Sequence, residues 1–166
     1  MNSNAKGNAR EREVCLDLET RFNMSFTRTI QSGASATRST FSKKPREKFI
    51  KENTGDIFTP QNFRFTIEAK HYSSFDVFSY WSQNCLLDSW FSQAKSDAAR
   101  IQKEFLVLFK FNRRKKMAMM DVLNKKLIAE LKIKFVQFSQ DYLILTQNDL
   151  FSLPDDFFFI KSIDKS

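Results

Sequence analysis

Apolar positions recur at helical spacing over residues 4–22, where Val14, Cys15, Leu18 and Phe22 fall on one stripe. Glu11 lies three and four residues before Val14 and Cys15 and continues that stripe. Glu13 is rotated to the far side and is expected in solvent. A carboxylate in line with a buried stripe is costly unless it is paired or metal-bound, which singles out Glu11. The plainer alternative is a frayed helix start that lets the acid reach water. A short strand is expected over residues 25–30, followed by a polar, Ser/Thr-rich and basic stretch over 31–53. Loops of that length inside a small domain tend to be functional or mobile. Arg38, Lys43, Lys44, Arg46 and Lys48 make this one a phosphate-gripping loop or simply a solvated one.

Two strands are predicted next, over 56–58 and 63–70, joined by the turn "TPQN". Period-two alternation puts Phe63, Phe65, Ile67 and Ala69 on one face of the second strand and Arg64, Thr66, Glu68 and Lys70 on the other. Glu68 and Lys70 therefore point the same way. Residues 81–103 carry the longest helical pattern, with Leu87, Trp90, Phe91, Ala94, Ala98 and Ile101 as its stripe and Gln93 beside it. "FLVLFKF" at 105–111 is near-continuous in apolar character and reads as a central strand. The "NRRKK" turn leads into a further strand, "MAMMDV", then a helix over 124–131, short strands around Phe135 and Leu143, and an aromatic tail. This order implies an α/β fold with a mixed central sheet flanked by helices.

Composition narrows the picture only in places. A chain of 166 residues with 42% hydrophobic content is expected to form one domain with a real core, to which 19 phenylalanines contribute. Three glycines and three prolines leave little room for disordered linkers. The net charge is +8, from 27 basic and 19 acidic residues, with a pI near 9.6. That surplus suits a polyanion: nucleic acid first, an anionic surface second, or it serves solubility alone. Cys15 and Cys85 are too few and too isolated for a disulfide framework or a zinc site and are expected as buried thiols. The first ten residues are polar, and no apolar run approaches the ~18 residues of a membrane span. The expectation is an intracellular, cytoplasmic protein without a membrane role.

The charges at the strand ends carry the candidate chemistry. Hydrolysis of a phosphodiester needs a divalent metal, a positioned water and stabilisation of the leaving oxygen. Magnesium takes oxygen ligands and keeps several waters, so two carboxylates and a backbone carbonyl suffice. Asp56 and Glu68 can supply the carboxylates, Ala69 the carbonyl, and Lys70 can hold the attacking water. By spacing alone, an acid followed a strand later by Glu-x-Lys also arises as ordinary surface charge at strand termini.

The surroundings of these residues resemble a known family. "KGNARERE" at 6–13 is similar to the opening helix of archaeal-type Holliday junction resolvases, and "RTIQSGAS" at 28–35 to the strand and Ser/Gly turn that follow it. "GDIF" and "FTIEAK" resemble the acid and Glu-x-Lys signature of the PD-(D/E)xK nuclease superfamily. "LLDSWFSQAKSDA" followed by "FLVLFKFNRRKKMAMM" is similar to phage-encoded resolvase-like endonucleases. The resemblance covers residues 6–120, so a nuclease core over about 4–122 and a family-specific C-terminal extension over 123–166 are expected within one domain. It implies a restriction-endonuclease-like core and a structure-selective DNA endonuclease using Mg²⁺ or Mn²⁺, held by Asp56, Glu68, Ala69 and, as a further ligand, Glu11. It also implies Lys70 as the catalytic lysine, Gln93 as its support, and Ser32 against the scissile strand. Lys6, Arg10, Arg12, Arg28, Arg38, Lys43, Lys44, Arg113 and Arg114 become candidate phosphate contacts. Four-way or other branched DNA is the implied substrate and recombination the implied process. A homodimer, with the exposed apolar part of residues 81–91 as candidate interface, is the implied assembly, and a phage in a bacterial host the implied source. A restriction-like or nicking endonuclease is the alternative with the same chemistry; a non-catalytic DNA-binding protein is the alternative without it. His71, one position after Lys70, faces the other way and is expected to be structural or DNA-facing.

Overall fold

The computed structural model describes residues 3–29, 54–74, 76 and 85–160. The basic stretch holding Ser32, Arg38, Lys43 and Lys44 lies outside the described residues, as do Trp81 and the side chain of Lys6.

The leading helix α1 spans Ser3–Phe22. It is followed by the short strands β1 (Thr27–Arg28) and β2 (Ile57–Phe58) and by the longer β3 (Phe65–Tyr72). Helix α2 (Leu86–Arg100) leads to β4 (Glu104–Phe111) and β5 (Met117–Asp121). A 3₁₀ turn (Val122–Asn124) and α3 (Lys125–Glu130) precede β6 (Phe135–Gln137) and β7 (Tyr142–Thr146). The short helices α4 (Gln147–Phe151) and α5 (Asp155–Phe158) close the described chain. The strands form a seven-stranded sheet in the order β1-β2-β3-β4-β5-β7-β6. β3 and β4 run parallel, which requires a crossover connection, and α2 lies in that connection. The other pairs are antiparallel. The sheet is mixed and flanked by helices, as the sequence pattern predicts, and "FLVLFKF" supplies its middle strand.

Alternation along the strands sorts the core into two layers. Leu106, Leu108, Ala118 and Met120 pack with Val14, Cys15 and Leu18 of α1. Phe105, Val107, Phe109 and Met119 pack with Leu87, Trp90, Ala94 and Ala98 of α2. Both faces of the central strands are therefore covered. This explains why the β3 face expected to be polar is closed: Thr66 and Glu68 are buried beneath α2 rather than solvated. Leu87 and Trp90 of the predicted helical stripe are core residues, and the Trp90 ring rests on Tyr72, Phe109 and Phe111. Cys15 and Cys85 are buried and free, as expected.

The described part of the expected extension, residues 123–160, contributes to the same sheet and core. β7 pairs with β5, and the tail brings Phe158 to 4.8 Å and Phe159 to 5.3 Å from the Phe22 ring, both edge-on. Edge-to-face aromatic pairs of this kind add roughly 0.5–1.5 kcal/mol each beyond their buried area.

Charge on α1 is arranged differently from the helical-wheel expectation. Glu13 is half-buried and accepts from Arg10 at 3.0 Å while pairing with Lys110 at 2.9 Å and Lys116 at 3.0 Å. Its outer helix face is where the β4–β5 turn and α4 pack, so that face is not solvent. Burial works to raise its carboxyl, but the bonds from Lys110, Lys116 and Arg10 outweigh this and hold the pKa at about 2. A depressed carboxylate pKa stabilises the fold above its ordinary value near 4.5, and that contribution fades as pH falls toward 2. Glu13→Gln is expected to destabilise the protein at pH 7 by about 1–2 kcal/mol, allowing for solvent screening. The gap between variant and wild type closes across that acid range, and urea unfolding at several pH values measures it.

Candidate active site

The site is built where β2 gives out beside β3. β2 pairs with β3 only at Ile57 and Ile67, which leaves the next outward-pointing amide of β3, that of Ala69, without a strand partner on that side. Asp56 Oδ2 takes that amide at 2.9 Å. The acid is aimed by its own backbone: its N–H donates to the Ile67 carbonyl at 2.8 Å, and its carbonyl accepts from the Thr29 N–H at 3.0 Å. Gly55 makes this approach possible. It sits at φ +79°, and a Cβ there would lie 2.5 Å from Thr66 Oγ1 and 2.8 Å from the Ile67 carbonyl oxygen. Thr29 Oγ1 donates to the Gly55 carbonyl at 2.7 Å and fixes the turn from the other side. The sequence pattern marks Asp56 but not Gly55; a glycine directly before the acid, in a chain with only three, is the signal that could have found it.

Glu68 and Lys70 extend from β3 on the face covered by α2, side by side as alternation requires. Lys70 Nζ donates to Glu68 Oε2 at 2.9 Å and to Gln93 Oε1 of α2 at 3.3 Å. Glu68 is only 4% exposed. Burial, reinforced by the nearby Asp56 carboxylate and only partly offset by Lys70, pushes its pKa up to about 7. Burial acts against the Lys70 charge too, but the Glu68 carboxylate outweighs it and raises the pKa, so Lys70 is held as an ammonium. Asp56, Glu68, Lys70 and Gln93 thus converge from the turn before β2, from β3 and from α2.

The other candidates are distributed as follows. Glu11 lies on α1, across the sheet from Glu68, and accepts from Arg28 Nε at 2.6 Å. Arg28 also donates to Asn8 at 2.8 Å. Periodicity points Glu11 inward correctly, but what it meets is a guanidinium. Among the described residues no three His, Cys, Asp or Glu side chains gather closely enough to share a metal, so the expected three-acid set is not assembled. Arg10, expected to touch phosphate, is 1% exposed and donates from its two terminal nitrogens to Glu13 and Gln147. Arg12, Arg113 and Arg114 are exposed and open to a ligand. His71 faces away from Lys70 and is 2.9 Å from Asn112 Oδ1.

The donor set that remains suits a hard divalent cation. Asp56 and Glu68 place two carboxylates together, each with one oxygen already engaged by the protein. Their mutual repulsion, visible in the raised Glu68 pKa, is what a cation between them relieves. An acid from a short strand, followed on the next strand by Glu-x-Lys in a mixed α/β sheet, defines a PD-(D/E)xK-type nuclease. Over residues 2–155 the chain matches the family described as "Phage putative PDDEXK endonuclease", and it belongs to that family. The curated proteins and the solved structures yield no match. No helix among the described residues is long and apolar enough to cross a membrane.

Proposed function

We propose that this phage-type endonuclease is a metal-dependent, structure-selective enzyme that hydrolyses phosphodiester bonds in branched DNA, with the four-way Holliday junction as its substrate. The observation that carries the chemistry is the convergence of Asp56, Glu68, Lys70 and Gln93. The preference for junctions is supported by the similarity of residues 6–120 to resolvases. Asp56 and Glu68 are the proposed ligands for Mg²⁺ or Mn²⁺, with the Ala69 carbonyl as a third oxygen. When bound there, the metal supplies charge neutralisation at the scissile phosphate and a more acidic attacking water.

The chain's own residues do the rest. Lys70, an ammonium steadied by Gln93, donates to the attacking water or to a non-bridging phosphate oxygen and offsets charge as it builds on phosphorus. The Ala69 amide and Gly55 turn hold Asp56 in place, so little reorganisation is needed at the moment of reaction. Glu11 and Asn8 hold Arg28 at the sheet edge, and Arg28, Arg12, Arg113 and Arg114 are the proposed phosphate contacts. Junction cleavage on opposing strands calls for two active sites related by a two-fold axis, so a homodimer is the proposed working unit.

The test offers a four-way junction, a nicked duplex and a plain duplex, each with Mg²⁺ and with EDTA. Paired symmetric nicks in the junction, only with metal, are the expected result. Sequence-specific cuts in the plain duplex would replace the junction reading with a restriction-like one. Binding without metal-dependent cleavage would sink both. Light scattering should give twice the chain mass of 19.5 kDa.

A further inference from the structure

Away from Asp56 and Glu68, a second polar groove of about 690 Å³ opens between the C-terminal half of α1, the β4–β5 turn and α4. Arg21, Arg114, Lys115 and Lys116 line it, against a single carboxylate, Asp17. Two of these cations are fixed by the protein. Lys116 Nζ is 2.7 Å from Asp17 Oδ2, and Arg21 is 2.8 Å from Asp155. Arg114 and Lys115 are exposed and have no carboxylate partner among the described residues. Behind the wall lies the buried Arg10, which holds the groove residue Gln147 at 3.0 Å and whose Nε has no hydrogen-bond partner. The groove therefore concentrates cationic donors that the protein itself does not neutralise, and its fitting ligand is an anion.

Its position says which anion. Lys70 pairs in register with Phe109, Phe109 with Met117, and Met117 with Thr146. One row across the sheet thus joins the active-site lysine to the groove, where Thr146 also forms part of the lining. Three strand spacings make that row about 14 Å, the rise of roughly four base pairs of duplex. The two sites lie on opposite faces of the sheet but at the same end, where the β4–β5 turn is.

We propose that this groove grips a backbone phosphate of the DNA several steps from the bond that is cut, giving the enzyme a second hold on the same arm. The proposal rests on the nuclease reading, which already counts Arg114 as a phosphate contact, and adds Lys115 and the groove that holds the two together. The groove supplies affinity and register, and it is indifferent to base sequence.

Neutralising the two unpartnered cations tests it. Arg114→Gln/Lys115→Gln is made in a Glu68→Gln background, and duplex and junction binding are followed by anisotropy in EDTA over a range of salt. Each lost phosphate contact flattens the plot of log K against log salt by about 0.9. The double variant should show that flattening and bind roughly 10-fold more weakly near 0.1 M salt. Lys126→Gln/Lys132→Gln removes the same charge near α3, which packs by the opposite end of β4 through Asn124 and Glu104, and should leave the slope unchanged. If the parent chain binds no DNA, the nuclease reading falls and takes this one with it. If the parent binds but the groove variant keeps its slope, or the control loses as much, the groove assignment alone falls. An unchanged slope together with inorganic phosphate raising the parent's melting temperature, and not the variant's, would assign the groove to free phosphate and overturn the DNA contact.

Discussion

Glu68→Gln is expected to lower the rate of metal-dependent DNA cleavage by about 10³-fold or more while leaving the fold and metal-free DNA binding in place. The substitution keeps shape and removes only the charge. Glu68 is buried, shares its site with the Asp56 carboxylate and is the ion-pair partner of Lys70, so one change removes a proposed metal ligand and unpairs the ammonium. Lys70→Ala should lose activity comparably, because it removes the cation that reaches both Glu68 and Gln93. Single-turnover cleavage of a labelled junction measures both, and a wild-type rate in either variant would show the site to be misassigned. The same residue gives the fold a pH signature in EDTA. A carboxyl raised to about 7 favours its protonated form in the native state, so its ionisation costs stability as pH rises from about 4.5 through 7. The Gln variant should lack that component.

Gly55→Ala is expected to destabilise the protein by about 3 kcal/mol, from the cost of a left-handed backbone with a side chain and from overpacking. The new methyl meets Thr66 Oγ1 and the Ile67 carbonyl, and the latter is the acceptor for the Asp56 amide. Relief by backbone movement must therefore shift Asp56 away from Ala69. The melting temperature should fall by roughly 6–12 °C, with cleavage reduced beyond what the unfolded fraction explains. A variant with an unchanged midpoint would mean that the turn is not held as described.

Much of this architecture is legible in the chain. Helical and strand periods place α1, β3, α2 and β4, because burial against a sheet selects those periods directly. Alternation alone puts Glu68 and Lys70 on one face. The parallel pairing of β3 and β4, and β7 lying inside the sheet next to β5, are less visible, since strand order depends on contacts between distant segments.

Periodicity establishes which way a side chain points: it turns Glu11 inward and sets Glu68 and Lys70 on one face, while Asp56 is marked by its place at a strand end and by the resemblance to a nuclease signature. What stands opposite each of them was decided only by the tertiary structure. Glu11 points inward and meets Arg28; Glu13 points outward and meets Arg10, Lys110 and Lys116; Arg10, which by composition belongs to solvent or phosphate, is enclosed between Glu13 and Gln147. The reason is range. A helical or strand period is a local property of a few residues, whereas the partner of a charge comes from elements many residues away, and its energy is known only once those elements have packed.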